Sequence, residues 1–452
     1  MRIAELAGQR VAIWGFGREG RAAIHALRKR RPELSLALYC GEAEAADAQA
    51  FDAALRVYPH EPDAVALSAY DIVIKSPGIS AYKPAVVTAK AQGTRFTSGT
   101  ALWFGENPQA HVVAVTGTKG KSTTTALLAH LARALGIRTA LAGNIGLPML
   151  ELLDEQAELW AIELSSFQTG EAGPLELGVI TSLYEEHLDW HGTRERYVAD
   201  KLKLGDVARR LLVNGEQASL LEKTASHAHR LLFGQPEGWH VANGFVRRGA
   251  TEVLALDRIA VPGAHNALNA CAALAALDAM GHDAIAAAPA LASFRPLPHR
   301  LQPLGERDGL QWINDSISTT PQATLAALES LQGREVTVIV GGHDRGLDWS
   351  AFVEAVKSRT ALRIITQGTN GPRIAAALRA ARSEVPLGDV DKLTDAVDMA
   401  RIVTPQGGTV LLSPGAPSFD QYHDYAERGR RFAGMAGFDD AEIAGIAGMG
   451  IA

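Results

Sequence analysis

The chain carries only two cysteines in 452 residues, Cys40 and Cys271. Both sit in apolar surroundings with no metal-ligand partner nearby in sequence. That excludes a disulfide scaffold and a cysteine-based metal site, and it predicts buried thiols in a reducing compartment. A membrane span is also missing. The most apolar segment, "LNACAALAALDAMG", is short and contains Asp278. The start, "MRIAELAGQRVAIWGFG", lacks the unbroken apolar core of a signal peptide, because Gln9 and Arg10 interrupt it. A cytoplasmic protein is expected. There is no basic surplus: the formal net charge is -6, which argues against a nucleic-acid partner. No repeat, low-complexity tract or long charge run is present.

What is present is the composition of an ordinary globular protein, 47% hydrophobic and 21% charged. The length suggests roughly three domains of about 150 residues. Apolar strands alternate with helical stretches throughout, which predicts an α/β protein of three domains. Each is expected to be built on a mostly parallel Rossmann-like sheet. The expected domains are 1–108, ending near the polar "GENPQA"; 109–296, a central P-loop domain that includes an antiparallel stretch in "GWHVANGFVRRGATEVLALDRIAVPG"; and 297–452, beginning at the proline-rich "FRPLPHR".

Gly15, Gly17 and Gly20 form GxGxxG, with Arg18 and Glu19 inside it, after the strand "RVAIWG" and before a helix. Glycines there let a backbone approach a diphosphate at a helix N-terminus. A dinucleotide site also wants an acid at the end of the second strand to hold the ribose. "LYCGE" puts Tyr39 and Cys40 at that place, with Glu42 late. An NAD site is therefore less expected than a site for another diphosphate, and a tight packing turn is the plain structural alternative.

The second glycine motif spans Gly117, Thr118, Lys119, Gly120, Lys121, Ser122 and Thr123, after the strand "VVAV". In a P-loop, backbone N–H groups wrap phosphate, the lysine neutralises it and the hydroxyl meets Mg2+. Val115 stands where the first glycine of that pattern belongs, so the loop is a variant. Glu163 ends the strand "LWAIELS", where a parallel sheet delivers ligands. His187 follows another strand, among Glu185, Glu186 and Asp189. Lys201 lies on the next helix, where a solvated face is the plain reading.

Ten stretches then coincide in order: "TGTKGKST", "GNIGLP", "ELSSFQ", "EEHLDWHG", "YVADKL", "PGAHNALNA", "LPHR", "NDS", "GGHDRG" and "LLSPGAPSFDQY". Together they resemble the Mur ligases, ATP-dependent amide-forming enzymes of peptidoglycan synthesis, over essentially the whole chain. The similarity is closest to members that add glutamate to UDP-N-acetylmuramoyl-L-alanine. A full domain precedes the P-loop, and the DNPR tetrapeptide of the diamino-acid-adding members is absent.

The resemblance implies an acid–amino-acid ligase working through an acyl phosphate. Lys121 and Ser122 would hold ATP phosphate and Mg2+, with two ions expected. Glu163 and His187 would organise the metal. Lys201 would be the lysine that becomes carbamylated. Asn266, Asn269, Arg300 and Asp315 would bind the rest of the nucleotide. Ser76, Pro77, Gly78, the 15–20 loop, Asn144, Ser165 and Gln168 would hold the UDP substrate, which accounts for the missing ribose acid. Thr319, Arg345, Ser418 and Tyr425 would bind glutamate. A monomer is implied.

Two absences bear on the hand of the glutamate. D-glutamate-adding members often read NDSKAT, whereas here "NDSIST" has Ile317 for the lysine; they often place lysine after the "GG" strand, whereas here Arg345 stands in "GGHDRG". Arginine reads a carboxylate as a planar fork and does not substitute for lysine. With "GREGRA", these features look more like the branch that adds L-glutamate. D-glutamate ligation is the alternative. An NAD-dependent oxidoreductase leaves the P-loop unexplained, and a sugar kinase leaves the third domain unexplained.

Overall fold

The computed structural model describes residues 1–145, 147–184, 191, 193–261, 263–295, 298–439 and 450–451. His187 lies outside the described residues. The chain divides into two compact units, Met1–Phe294 joined by the C-terminal end, and Arg295–Ala447. Among the described residues, no helix is long and apolar enough to cross a membrane.

The first unit contains two large, mostly parallel sheets and a small antiparallel one. Strands β1 (Val11–Trp14), β2 (Leu36–Tyr39), β3 (Arg56–Tyr58), β4 (Ile72–Lys75) and β5 (Arg95–Thr97) stand in the order β3-β2-β1-β4-β5. All pairings are parallel. β1, β2 and β4 are buried along their whole length, as a sheet covered on both faces requires. The order reverses between β1 and β4, which is where such sheets place ligands. The helix Arg18–Arg30 starts there. It descends close to the turn because residue 20 is glycine: a Cβ on Gly20 would lie 2.0 Å from the carbonyl oxygen of Gly15.

The second sheet runs β11-β10-β9-β6-β8-β7-β21. Its strands are β6 (Val112–Thr116), β7 (Thr139–Gly143), β8 (Leu159–Glu163), β9 (Leu175–Ile180), β10 (Ala208–Asn214) and β11 (Arg230–Phe233). The short β21 (Gly450–Ile451) adds antiparallel to β7. A separate antiparallel sheet of β12 (Trp239–Ala242), β13 (Phe245–Arg248) and β14 (Thr251–Ala255) occupies the stretch expected to alternate. The two large sheets share one apolar cluster, in which Ile13, Ala23 and Leu27 join Trp103, Trp160, Leu175 and Leu204. Trp103 and Trp160 meet edge-on with centroids 4.6 Å apart. This continuous core is why residues 1–108 and 109–294 form one compact unit.

The second unit is a six-stranded sheet in the order β15-β16-β20-β17-β18-β19. Its strands are β15 (Gln302–Arg307), β16 (Leu310–Asn314), β17 (Val336–Val340), β18 (Leu362–Thr366), β19 (Leu387–Asp389) and β20 (Thr409–Leu412). Only the edge strand β15 is antiparallel. Apolar clusters cover both faces, one around Trp349 and Phe352 and the other around Trp312 and Phe432.

Candidate functional site

β6 is central in its sheet, and the glycine loop follows it directly into the helix Lys121–Ala134. Gly120 caps that helix with φ +85°, a conformation that favours glycine. A Cβ there would also lie 2.4 Å from Asn269 Oδ1. The loop is fastened from the side of β9. Thr118 N donates to the Ser182 carbonyl at 2.9 Å, Lys119 N to Ser182 Oγ at 2.8 Å, and Thr181 Oγ1 to the Lys119 carbonyl at 2.6 Å. Lys121 Nζ donates to the Thr118 carbonyl at 3.2 Å, and Ser122 is buried. The loop thus stands at the start of a 14-residue helix, where N–H groups and the helix dipole favour an anion.

Glu163 is fully buried and pairs across the sheet with Val115, just before the loop. Its Oε1 accepts from Asn144 Nδ2 at 2.8 Å. Its Oε2 is buried without a hydrogen-bond partner among the described residues. A buried carboxylate oxygen left in this way costs free energy unless a cation meets it. Lys201 also reaches the loop, since its Nζ donates to the Gly117 carbonyl at 2.8 Å. At 2% exposure it does not lie on a solvated helix face.

Asn266 and Asn269 lie on the helix Ala264–Ala279 and are buried. Asn269 Oδ1 accepts from Thr124 Oγ1 at 3.4 Å, and Asn269 Nδ2 donates to Asn266 Oδ1 at 3.4 Å. Both therefore stand beside the first turn of the P-loop helix. Gln168 and Ser165 are bonded to each other at 2.8 Å, and Gln168 continues to Thr100 Oγ1 at 3.1 Å.

At the switch point of the first sheet, Ser76 Oγ donates to the Gly15 carbonyl at 3.5 Å, so the 15–20 loop and Ser76-Pro77-Gly78 adjoin. No carboxylate replaces the missing ribose acid within β2. Tyr39 instead stacks on Tyr58 with centroids 4.8 Å apart, and Glu44 turns back to accept from Gly41 N.

Glu19 is the unusual group in this loop. Burial, with Glu151 and Glu171 nearby, pushes its carboxyl up to about 7 against the pull of Arg18. The folded state therefore holds a proton that the unfolded chain releases between about pH 4.5 and 7. The associated stability is complete below that window and is lost as pH rises through it. Glu19→Gln is expected to gain stability over the parent on going from pH 5 to pH 8, by up to about 2 kcal/mol. Urea unfolding at the two pH values measures this; an unchanged difference would contradict it.

In the second unit three loops converge at the C-terminal ends of β16, β17 and β20. Asp315 is buried, and its oxygens accept from Leu301 N at 3.0 Å, from Ser413 Oγ at 2.7 Å and from Ser318 Oγ. Burial raises its pKa, and these bonds oppose the rise. His343 N donates to the Pro417 carbonyl at 2.9 Å. Ser418 is buried and its Oγ has no hydrogen-bond partner among the described residues. Thr319 is half-buried, Arg345 is exposed, and Tyr425 accepts from Ser316 Oγ through its carbonyl at 2.8 Å. Arg300 is half-buried just before β15.

The sequence reading missed several residues that hold these sites. Arg428 is buried and donates to Ser316 Oγ and to the carbonyls of Ser316, Ala416 and Pro417, tying two loops together. Thr181 and Ser182 lock the glycine loop. Tyr197 places its hydroxyl 2.8 Å from Thr118 Oγ1. The four-residue step from Tyr197 to Lys201 puts both on one helix face and could have flagged it.

A family model described as the Mur ligase middle domain matches residues 115–277, and one described as the Mur ligase glutamate ligase domain matches residues 299–415. A relative from Xanthomonas axonopodis pv. citri (strain 306) is 50% identical over 468 residues, covering 100% of both chains. One from Xylella fastidiosa (strain Temecula1) is 51% identical with the same coverage. Both bear the name UDP-N-acetylmuramoyl-L-alanine--L-glutamate ligase. The fold matches that of a UDP-N-acetylmuramate-alanine ligase from Thermotoga maritima with TM-score 0.59 at 20% identity, covering 94% of this chain and 98% of that one.

Proposed function

The chain belongs to the Mur ligase family, and from that premise we propose that it adds L-glutamate to UDP-N-acetylmuramoyl-L-alanine through an acyl phosphate. It is an ATP-dependent amide-bond-forming ligase of peptidoglycan precursor synthesis. The observation that carries the mechanistic reading is the convergence of Glu163 and Lys201 on the glycine loop.

A carboxylate does not accept an amine in water without activation. An oxygen of the alanine carboxylate attacks the γ-phosphorus of ATP, and ADP leaves. The glutamate amine then attacks the acyl carbon, loses its proton, and phosphate departs from the tetrahedral intermediate. Several anionic groups meet along this path, so the site's contribution is positive charge and positioning. Lys121 supplies charge at the phosphates. Gly117 to Thr123 offer N–H and hydroxyl groups, and Asn266, Asn269, Arg300 and Asp315 are assigned to the rest of the nucleotide.

The partnerless oxygen of Glu163, on the strand paired with the one that leads into the glycine loop, fits a divalent cation. Ser122, Glu163, His187 and a carbamylated Lys201 would hold two Mg2+ ions. Bound there, Mg2+ supplies charge to the transferring phosphoryl oxygens. The 15–20 loop, Ser76-Pro77-Gly78, Asn144, Ser165 and Gln168 are assigned to the UDP-sugar. Thr319, Arg345, Ser418 and Tyr425 are assigned to glutamate, in a protein that acts as a cytoplasmic monomer.

The hand of the glutamate rests on the names of the full-length relatives and on Ile317 and Arg345. With Mg-ATP and UDP-N-acetylmuramoyl-L-alanine, kcat/KM for L-glutamate is expected to exceed that for D-glutamate by at least about 100-fold. Phosphate release with each enantiomer measures it. Equal or greater turnover with D-glutamate would overturn the assignment.

A further inference from the structure

The helix Arg194–Val207 touches two loops through different side chains. Tyr197 and Lys201 reach the glycine loop at Thr118 and Gly117. Asp200 reaches the loop after β4: the Tyr82 hydroxyl donates to both of its carboxylate oxygens, at 2.9 Å each. The Arg196 guanidinium lies 4.9 Å from the centroid of the Tyr82 ring. Tyr82 follows Ser76-Pro77-Gly78 in the same loop and is fastened to it by its N–H donating to Ser80 Oγ at 3.2 Å.

Asp200 is 4% exposed and is held from several sides. His191 Nδ1 lies 2.7 Å from Oδ2, and Lys203 Nζ donates to Oδ1 at 2.5 Å. The Asp200 carbonyl accepts from Thr169 Oγ1 at 2.6 Å. Because the carboxylate only accepts, His191 donates from Nδ1, and its Nε2 lies 2.9 Å from Ser166 Oγ. Ser166 belongs to the loop that leaves β8 after Glu163. Burial and Asp200 push the Tyr82 phenol up to about 12, so it remains a donor at neutral pH. A carboxylate bonded in this way has little freedom of its own.

We infer that Asp200 is a positioning residue that links, through Tyr82, the loop after β4 to the placement of Lys201 and Tyr197 on the glycine loop. Filling either loop then tightens the other. Asp200 and Lys201 are consecutive on one helix, so a shift of one carries the other. A ligand that orders the loop after β4 fixes Tyr82, hence Asp200, hence Lys201 beside Gly117. Such coupling is reciprocal. The inference rests on the reading that this loop holds the sugar nucleotide.

The test is calorimetric affinity for the Mg2+ complex of a non-hydrolysable ATP analogue, with and without saturating UDP-N-acetylmuramoyl-L-alanine. In the parent protein the sugar nucleotide is expected to tighten the analogue by about fivefold or more. Tyr82→Phe removes one hydroxyl; it should keep each separate affinity within about threefold and reduce the tightening to below about twofold. The Tyr82→Phe/Asp200→Asn double variant should lose no further coupling. A bond that only stabilises the fold would lower the unfolding midpoint of Tyr82→Phe and leave the tightening intact. Tightening retained in Tyr82→Phe, or absent from the parent, overturns the inference. A parent protein that does not bind the sugar nucleotide at all overturns instead the reading on which it rests.

Discussion

Lys201→Ala is expected to lower kcat by about 100- to 1,000-fold, and a short carboxylic acid such as acetate is expected to restore part of it. The helix Arg194–Val207 carries this lysine into the interior, where its Nζ meets the Gly117 carbonyl at the start of the glycine loop. The Tyr197 ring lies beneath it, with Nζ 4.9 Å from the centroid. A lysine must be unprotonated to combine with CO2, and a desolvated lysine reaches that state most readily. The carbamate would add negative charge at the glycine loop, whose leading strand pairs with the one that carries Glu163 and its partnerless oxygen. Acetate can occupy the space left by alanine and supply the same charge. Activity unchanged in Lys201→Ala would return this lysine to a packing role. Loss without rescue by any short acid would keep it essential and remove the carbamate.

Glu163→Gln is expected to lower kcat by about 100-fold or more and to leave the ligand-free protein as stable as the parent, or more stable by about 1–3 kcal/mol. The two effects have one cause. Oε1 is satisfied by Asn144 Nδ2, whereas Oε2 is enclosed without a hydrogen bond among the described residues. Such an arrangement is unfavourable for the empty protein and favourable for one holding a cation. Glutamine keeps the shape and the Asn144 bond and removes the charge. Turnover with saturating Mg-ATP and denaturant unfolding without nucleotide measure the two halves. A variant that folds less stably yet retains its turnover would contradict this account of Glu163.

Much of this was legible in the sequence, for identifiable reasons. Buried parallel strands are short apolar runs, so "VAIW", "VVAVT" and "VTVIV" announce themselves. Glycine turns between strand and helix mark the two loops because only glycine permits the close approach seen at Gly20 and the conformation at Gly120. Glu163 ends such a strand, but that position alone equally suits a carboxylate that caps a helix. The Tyr82–Asp200–His191 network was not legible. Tyr82 and Asp200 are separated by 118 positions, and nothing local joins them. Arg428 looks like an ordinary helix arginine until the carbonyls of 416 and 417 close around it. The raised carboxyl of Glu19 depends on burial and on Glu151 and Glu171, which arrive on two short turns more than 130 positions away in sequence. A polar stretch marks the expected boundary near 108, but the apolar cluster that runs across it, with Trp103 against Trp160, has no local signature.

The central claim is that ATP activates the alanine carboxylate for attack by glutamate. It is tested most directly by supplying UDP-N-acetylmuramoyl-L-alanine with both carboxylate oxygens labelled as 18O, together with Mg-ATP and L-glutamate. One labelled oxygen is then expected in each phosphate released, one amide bond is expected per phosphate, and no sustained release is expected without glutamate. Phosphate that is unlabelled, or that is released steadily in the absence of glutamate, would contradict the account.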